Sequence, residues 1–430
     1  MNQDKSHMDS CCSEFAEYSR RRFLARTGLL SAGLVSGAML PKVAFGKPGS
    51  SGTRDVMVHV FLRGGIDGLT FIVPHGDNAL YSARPNIAVP KPGQQNGAID
   101  LDGFFGLNPN AAALTTPYNA GHLAVVHAAG STDPTRSHFD AMKAMEGGVP
   151  NQSLIGVSTG WLGRHLAGTA PLGTGLLRGM ALEDVMPLHM TGADATLPVS
   201  NPSDFEFPGR LATLVERRQT VENMFLTAED PLDDAATSTF ATLDLLAAID
   251  FENYQTSGSK PYPGSVTGQK LRITAALIKA EIDIEAIGID SHGWDLHEGL
   301  GPITGPMANL MADLTNSLEA FYLDLVADGY NDRVVTLLMS EFGRRVEENA
   351  SLGTDHGHGN MMLAMGGNIA GGQVFANWPG LDPGSLVDGD LDITIDYRDV
   401  TGEILEKRMD NTDLSTIFPN HTPQFIGITV

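Results

Sequence analysis

Cysteine is nearly absent from this chain of 430 residues: there are two, Cys11 and Cys12, and both precede a run of three arginines at positions 20–22. Nothing after residue 12 can therefore form a disulfide, a thiolate metal site or a catalytic thiol. Iron–sulfur chemistry and thiol-linked lipid anchors are excluded from the same stretch. Basic residues are also scarce, 28 against 51 acidic ones. Residues 1–46 hold 6 basic and 4 acidic residues, so the remainder carries 22 against 47, a balance of −25. Such a surface repels nucleic acid and anionic lipid. Beyond the N-terminal region no apolar run is long enough to span a bilayer, no internal repeat is visible, and no Gly-x-Gly-x-x-Gly loop follows a strand-like segment. Nucleic-acid binders and membrane-spanning proteins lose support, and dinucleotide-dependent oxidoreductases do as well.

What is present begins with Ser19, Arg20, Arg21, Arg22, Phe23 and Leu24, a twin-arginine signature followed by a short, weakly apolar stretch from Thr27 to Leu40. Ala44-Phe45-Gly46 supplies small residues at the spacing a signal peptidase prefers. The expectation is a removable signal over 1–46, a flexible start over 47–53, and one α/β domain over 54–430. The chain would pass folded through the twin-arginine translocation machinery and become periplasmic or secreted, without stable membrane insertion after cleavage. A retained N-terminal anchor is the other reading of the same stretch. Because this route carries folded proteins, it suits those that receive a metal or cofactor before export. An exported oxidoreductase is suggested by the route alone.

Along the rest of the chain, buried-strand runs alternate with helical spacing. Val56–Leu62, Leu123–Ala128, Ile284–Ile289, Val334–Met339 and Met361–Met365 read as strands. Met307, Leu310, Met311, Leu314, Leu318, Phe321 and Leu325 mark a long amphipathic helix that ends at Asp328-Gly329. The alternation predicts a doubly wound, mainly parallel sheet flanked by helices. Residues 170–264, rich in Gly and Pro around helical pieces, read as an insertion or cap.

In an open parallel sheet, ligands bind outside the carboxyl ends of the strands. Asp67, Ser137, His138, Asp295, His297, Glu341, Asp355, His356 and His358 fall at or beside such positions. Carboxylates with histidines and no cysteine suit zinc, manganese or iron, with magnesium or calcium where carboxylates dominate. Two metals would need about this many ligands. A metal polarising a phosphoryl or sulfuryl oxygen, Ser137 attacking in line, and Arg344 or Arg136 stabilising the oxyanion would follow. Each residue also has a plainer role: Asp67 as a turn former, Asp295 and His297 as loop caps, Ser137 as a helix N-cap. His59, His127 and His165 read as satisfied core or surface histidines.

Taken together, Leu62-Arg63-Gly64-Gly65-Ile66-Asp67-Gly68, Thr135-Arg136-Ser137-His138-Phe139, Gly293-Trp294-Asp295-Leu296-His297, Ser340-Glu341-Phe342-Gly343-Arg344, Thr354-Asp355-His356-Gly357-His358-Gly359 and Asp396-Tyr397-Arg398-Asp399-Val400 resemble domain-of-unknown-function family 1501. That family looks like a distant branch of the alkaline phosphatase and sulfatase superfamily. The resemblance implies an alkaline phosphatase-like sheet with a two-metal site at the strand ends. It implies metal ligands among Asp67, Asp295, His297, Glu341, His356 and His358, with Ser137 where the superfamily's nucleophile falls. Two departures stand out: Glu341 is followed by Phe342 rather than His, and the Asp295 to His297 spacing is short, which leaves Asp290 or His292 as substitutes. The expected function is an exported metal-dependent hydrolase of small-molecule or polymer phosphate or sulfate esters. The alternative is a non-catalytic cell-envelope binding or assembly protein that retains the fold.

Overall fold

A computed structural model of the chain describes residues 54–151, 155–225 and 232–430. The arginine run, both cysteines, the expected cleavage site and residues 47–53 lie outside the described residues. Along the chain the strands are β1 (Val56–Leu62), β2 (Ile72–Val73), β3 (Ile99–Asp100), β4 (Gly106–Leu107), β5 (Leu123–Gly130), β6 (Gly179–Ala181), β7 (Thr196–Pro198), β8 (Ala286–Ser291), β9 (Val334–Met339), β10 (Asn360–Met365), β11 (Gln373–Ala376) and β12 (Ile395–Asp396). Nine of them form one sheet in the order β11-β5-β10-β9-β1-β8-β6-β7, with β12 beside β5. The remaining β2, β4 and β3 make a small second sheet.

Central β1 is buried at all seven positions, as its unbroken apolar run predicts for a strand covered on both faces. Side chains alternate across the sheet: Val56, Val58, Val60 and Leu62 enter one core, Met57 and Phe61 the other. The first core is closed by helices Val266–Lys279 and Pro306–Ala327. Helices Trp161–Gly168 and Tyr397–Met409 close the second. Met307, Met311, Leu314, Leu318, Phe321 and Leu325 are all buried, so the long helix presents the face its spacing predicts. It ends at Ala327 with Asp328 as its C-cap, and Gly329 follows at φ 76°.

Residues 170–264 divide into two parts. The first joins the sheet, where β6 and β7 extend it in parallel beyond β8. Three-residue strands are too short to show a period, so they are invisible in the sequence. In the second part, helices Leu214–Phe225 and Leu232–Ala247 pack on each other through Phe225, Phe240 and Leu243 as a satellite cluster. Among the described residues no helix is long and apolar enough to cross a membrane.

One strand runs against the rest. β10 is antiparallel to both β9 and β5, whereas β1 pairs in parallel with β8 and β9, and β5 with β11 and β12. β9 therefore ends, and β10 begins, at the same edge of the sheet. The connection over 340–359 stays at that edge and brings residues that precede a strand beside residues that follow strands. A fully parallel sheet would have sent His356 and His358 to the opposite edge.

This connection folds back on itself at very close range. Gly343 donates its N–H to His358 O at 2.8 Å, and Gly357 donates to Gly343 O at 2.9 Å. A Cβ on Gly343 would fall 2.0 Å from Gly359 O. Gly343→Ala is expected to cost about 1–3 kcal/mol or more by overpacking against backbone, read as a lower denaturant midpoint. An unchanged midpoint would show that the hairpin is looser than described.

Candidate metal centre

The carboxyl edge is built from the ends of β1, β5, β8 and β9 and the start of β10. After β1 the chain turns through Gly64 at φ 118° and Gly65 at φ 59°. Only glycine fits there: a Cβ would fall 2.6 Å from Asp295 N at the first position and 2.5 Å from the Phe342 ring at the second. The turn is clasped from β9. Ser340 Oγ donates to Leu62 O at 2.6 Å, Ile66 N donates to Ser340 Oγ at 3.1 Å, and Gly64 N donates to Glu341 Oε1 at 2.8 Å.

Arg344 closes the clasp. It is 2% exposed and donates to Gly65 O at 2.5 Å, to Gly64 O, to Thr354 O at 3.0 Å and to Asp295 Oδ1 at 2.6 Å. One guanidinium thus joins the β1 turn, the loop after β8 and the segment before β10. With its donors directed at carbonyls, Asp295 and His297, Arg344 holds the site together.

Around Asp295 three imidazoles converge. Its Oδ1 lies 3.0 Å from His297 Nε2, 3.3 Å from His356 Nε2 and 3.4 Å from His138 Nε2. His138, Asp295 and His356 each offer one ligand atom within 4.8 Å of the others, the spacing of a metal triad. Their outer nitrogens are held by groups that only accept. His138 Nδ1 meets Glu341 Oε1 at 2.7 Å, and His356 Nδ1 meets Arg136 O at 2.8 Å. Both Nδ1 atoms therefore carry hydrogen, and the Nε2 atoms face Asp295, the way metal-binding histidines are held by an acceptor on the far ring nitrogen. His138 Nε2 is buried and has no hydrogen-bond partner. His297 Nδ1 faces Asp355 Oδ1 at 3.3 Å, and its Nε2 faces His356 Nε2 at 2.9 Å. The same His297 Nε2 lies 3.0 Å from Asp295 Oδ1 and 3.4 Å from Arg344 Nη1.

The charges follow from these contacts. Burial would raise the Asp295 carboxyl, but the Arg344 hydrogen bond and the charges of Arg344, His138 and His297 bring it down to about 2. Burial lowers His356 below its ordinary 6.5, and the Arg344 and His138 charges act in the same direction, so the ring is neutral at pH 7. Burial also works against the Glu341 carboxylate, yet hydrogen bonds from His138 and Gly64 N hold it below its ordinary 4.5. That same bond to Glu341 raises His138 against its burial.

Not every sequence candidate joins the cluster. Asp67 is 2% exposed, and both its oxygens accept from Arg84 Nη1, at 2.9 and 2.7 Å, while Oδ1 also caps the short helix Gly68–Phe71 at Thr70 N. The contacts of Asp67 are those of a buried ion pair. Glu341 lies one residue out, behind His138. His358 turns away, with Nε2 on Pro134 O at 2.9 Å and Nδ1 3.5 Å from Asp390 Oδ2. It pins the loop that leads to Ser137. Ser137 occupies the N-cap of helix His138–Gly147, yet its side chain makes no cap hydrogen bond, which leaves the hydroxyl uncommitted to the helix. Asp290 and His292 fall in a second possible group with Glu183, where Arg63 Nε sits 2.9 Å from Asp290 and Lys270 Nζ 2.5 Å from Glu183.

His138 is the member of this cluster to which the sequence assigned no role. Its signal was adjacency: it follows Ser137 and opens a helix at a strand's carboxyl end. A pocket of about 200 Å³ lined by Arg54, Ile282, Tyr330 and Arg333 lies at the opposite edge, before β1, β8 and β9, and has no part in this cluster.

In metal-free protein the His138–Glu341 pair has a defined pH window. The raised His138 contributes stability in full below pH 6.5 and loses it as pH rises through its folded value. The lowered Glu341 contributes in full above pH 4.5 and loses it as pH falls through its own folded value. The pair therefore stabilises most between the two. Glu341→Gln is expected to drop the His138 pKa, followed by the ring Cε1–H shift in an NMR titration. An unmoved His138 would mean that another group sets its charge.

Among curated proteins none matches the chain. Solved structures similar to it include a protein in the alkaline phosphatase superfamily from Vibrio parahaemolyticus, 10% identical, with 84% of this chain and 72% of that chain covered and a TM-score of 0.33. A sulfatase from Pseudoalteromonas sp. is 13% identical, with 75% and 64% covered and a TM-score of 0.34. The alkaline phosphatase of the Antarctic bacterium TAB5 is 10% identical, with 75% and 95% covered and a TM-score of 0.25. At such distances the chemistry of this site must be read from its own residues. The family described as protein of unknown function (DUF1501) matches residues 54–406, and the chain belongs to that family.

Proposed function

We propose that this protein is an exported, metal-dependent hydrolase of phosphate or sulfate esters, with His138, Asp295 and His356 as the inner ligands and His297 beside them. The observation that carries the reading is the convergence of three imidazole nitrogens on one carboxylate oxygen: His297 Nε2, His356 Nε2 and His138 Nε2 lie 3.0, 3.3 and 3.4 Å from Asp295 Oδ1. A divalent cation of the zinc, manganese or iron class fits two or three imidazoles and one carboxylate, and supplies Lewis-acid polarisation of an ester oxygen and activation of a hydroxyl. One such ion is what this cluster accommodates. A second would need the Glu183, Asp290 and His292 group, where Arg63 and Lys270 already balance the carboxylates.

The chain's own residues divide the work. Glu341 holds His138, and the Arg136 carbonyl holds His356, each through Nδ1. Ser137 precedes His138 directly, so the proposed nucleophile and a proposed ligand share one helix start. The N-terminus of that ten-residue helix favours negative charge at the same place. Arg344 keeps a fixed positive charge against Asp295. The twin-arginine leader supports the export half of the reading.

A second reading has its own observation. Two carboxylates that the superfamily resemblance makes metal ligands, Asp67 and Asp295, are each met by a buried arginine, Arg84 and Arg344. A binding or assembly protein that replaced its metals with guanidinium groups would look this way. Three variants separate the two. For the hydrolase, His356→Ala abolishes both metal and ester hydrolysis, Ser137→Ala keeps metal but loses roughly 10³-fold or more in kcat, and His358→Ala keeps metal. Metal-loaded protein inactive on aryl phosphates and aryl sulfates alike would move the assignment to the binding protein.

A further inference from the structure

A second group of metal-ligating side chains lies inside the second core, away from the carboxyl edge. His59, in the middle of β1, is fully buried, and neither of its ring nitrogens has a hydrogen-bond partner. His189 is likewise fully buried; its ring centroid is 4.4 Å from that of His59, and its Nε2 has no partner either. The sequence suggested a satisfied core histidine at position 59. For comparison, His127 fits that description, with Nε2 on Ile72 O at 3.0 Å and Nδ1 accepting from Ala128 N at 2.8 Å.

The surroundings of this pair are built rather than accidental. His59 pairs in register with Gly288 on β8. A Cβ on Gly288 would fall 2.7 Å from Met190 Sδ and 3.0 Å from His189 Nε2, so thioether and imidazole face the same bare stretch of backbone. Trp161 walls the pair, with its ring 5.3 Å from His59 and 6.2 Å from His189. On its far side His189 Nδ1 meets Glu146 Oε1 at 3.3 Å, which places hydrogen on Nδ1 and leaves a lone pair on Nε2. Metal-binding histidines are commonly held this way, by a carboxylate on the ring nitrogen that faces away from the ion. Burial keeps both rings neutral, with His189 pushed down to about 3.

The charge count has a definite remainder. Arg63 pairs with both Glu146 and Asp290, one guanidinium between two carboxylates. Lys270 is matched to Glu183. One negative charge is left beside two neutral imidazoles and a thioether, which suits a singly charged, soft cation. A buried water could satisfy two ring nitrogens, but it gains little from a thioether, only a weak acceptor.

We propose that His59, His189 and Met190 bind copper(I) in the core, with Glu146 orienting His189. This site is independent of the His138, Asp295 and His356 centre. Its ligands are all fully buried, so the ion enters as the core closes. The test is to produce the full chain with and without copper in the growth medium, measure copper per chain, and record copper K-edge absorption. The expected result is about one copper per chain with nitrogen and sulfur neighbours at about 2.0–2.3 Å, unchanged in His356→Ala. Met190→Leu, which conserves volume, should remove the sulfur signal. Glu146→Gln should weaken copper(I) about 10–100-fold against a competing chelator. Folded protein that takes up no copper in either medium would overturn the proposal. So would copper that stays, with the same absorption spectrum, in a folded His59→Phe/Met190→Leu variant, or a crystal structure of copper-grown protein with a water between the two rings.

Discussion

Burial of the Arg344 guanidinium is the constraint on which the carboxyl edge of this protein depends. Removing a cation from water is expensive unless every donor finds an acceptor. Here the acceptors come from three separate pieces of chain, the carbonyls of Gly64, Gly65 and Thr354 and the carboxylate of Asp295. The β1 turn, the loop after β8 and the segment before β10 are therefore fixed relative to one another before any ligand is considered. The glycines at 64, 65 and 343 belong to the same constraint, since a side chain at each would collide with Asp295 N, the Phe342 ring or Gly359 O respectively. An Asp295 held at one point by a buried cation is then available to orient imidazoles on its other side.

A second layer of order surrounds that centre and works through tautomers. Glu341 and the Arg136 carbonyl can only accept, so each commits one ring nitrogen and exposes the other. His358, Pro134, Arg136 and Asp390 hold the loop from which Ser137 and His138 emerge. The same logic recurs in the core, where Glu146 fixes His189. In both places the inner nitrogens are specified by groups that never touch a ligand. Such supporting groups are the harder part of a site to build and the harder part to see from sequence.

Much of the sheet was legible because long buried strands leave an unmistakable signature. Val56–Leu62 and Val334–Met339 were bounded correctly because each is apolar throughout and stops at a polar, glycine-rich turn. The helix Pro306–Ala327 announced itself by period and by its Asp-Gly end. The reversal of β10 was not legible: a strand buried on both faces reads the same in either direction, and direction decides which edge its flanking residues reach. β6 and β7 were hidden by their length. Asp295, His297 and His356, which the sequence singled out as acidic and histidine residues in loops flanking strands, lie together in the structure. Asp67 was placed with them on the same ground, and nothing in its neighbourhood announced that Arg84, seventeen positions later, would occupy its carboxylate. His358 followed from its spacing to His356, since residues two apart on an extended segment share a side, but the chain bends at His358 and its ring goes to Pro134 O and Asp390 instead.

The central claim is that His138, Asp295 and His356 form one divalent metal site. The most direct measurement is anomalous diffraction above and below the zinc, iron and manganese edges, from crystals of the protein grown with each metal in turn. A single peak bounded by His138 Nε2, Asp295 Oδ1 and His356 Nε2, absent in His138→Ala, is the predicted result. Well-ordered density for the three side chains with no peak among them at any edge, after growth in metal, would contradict the account. Asp295 would then be held by Arg344 and protonated imidazoles alone.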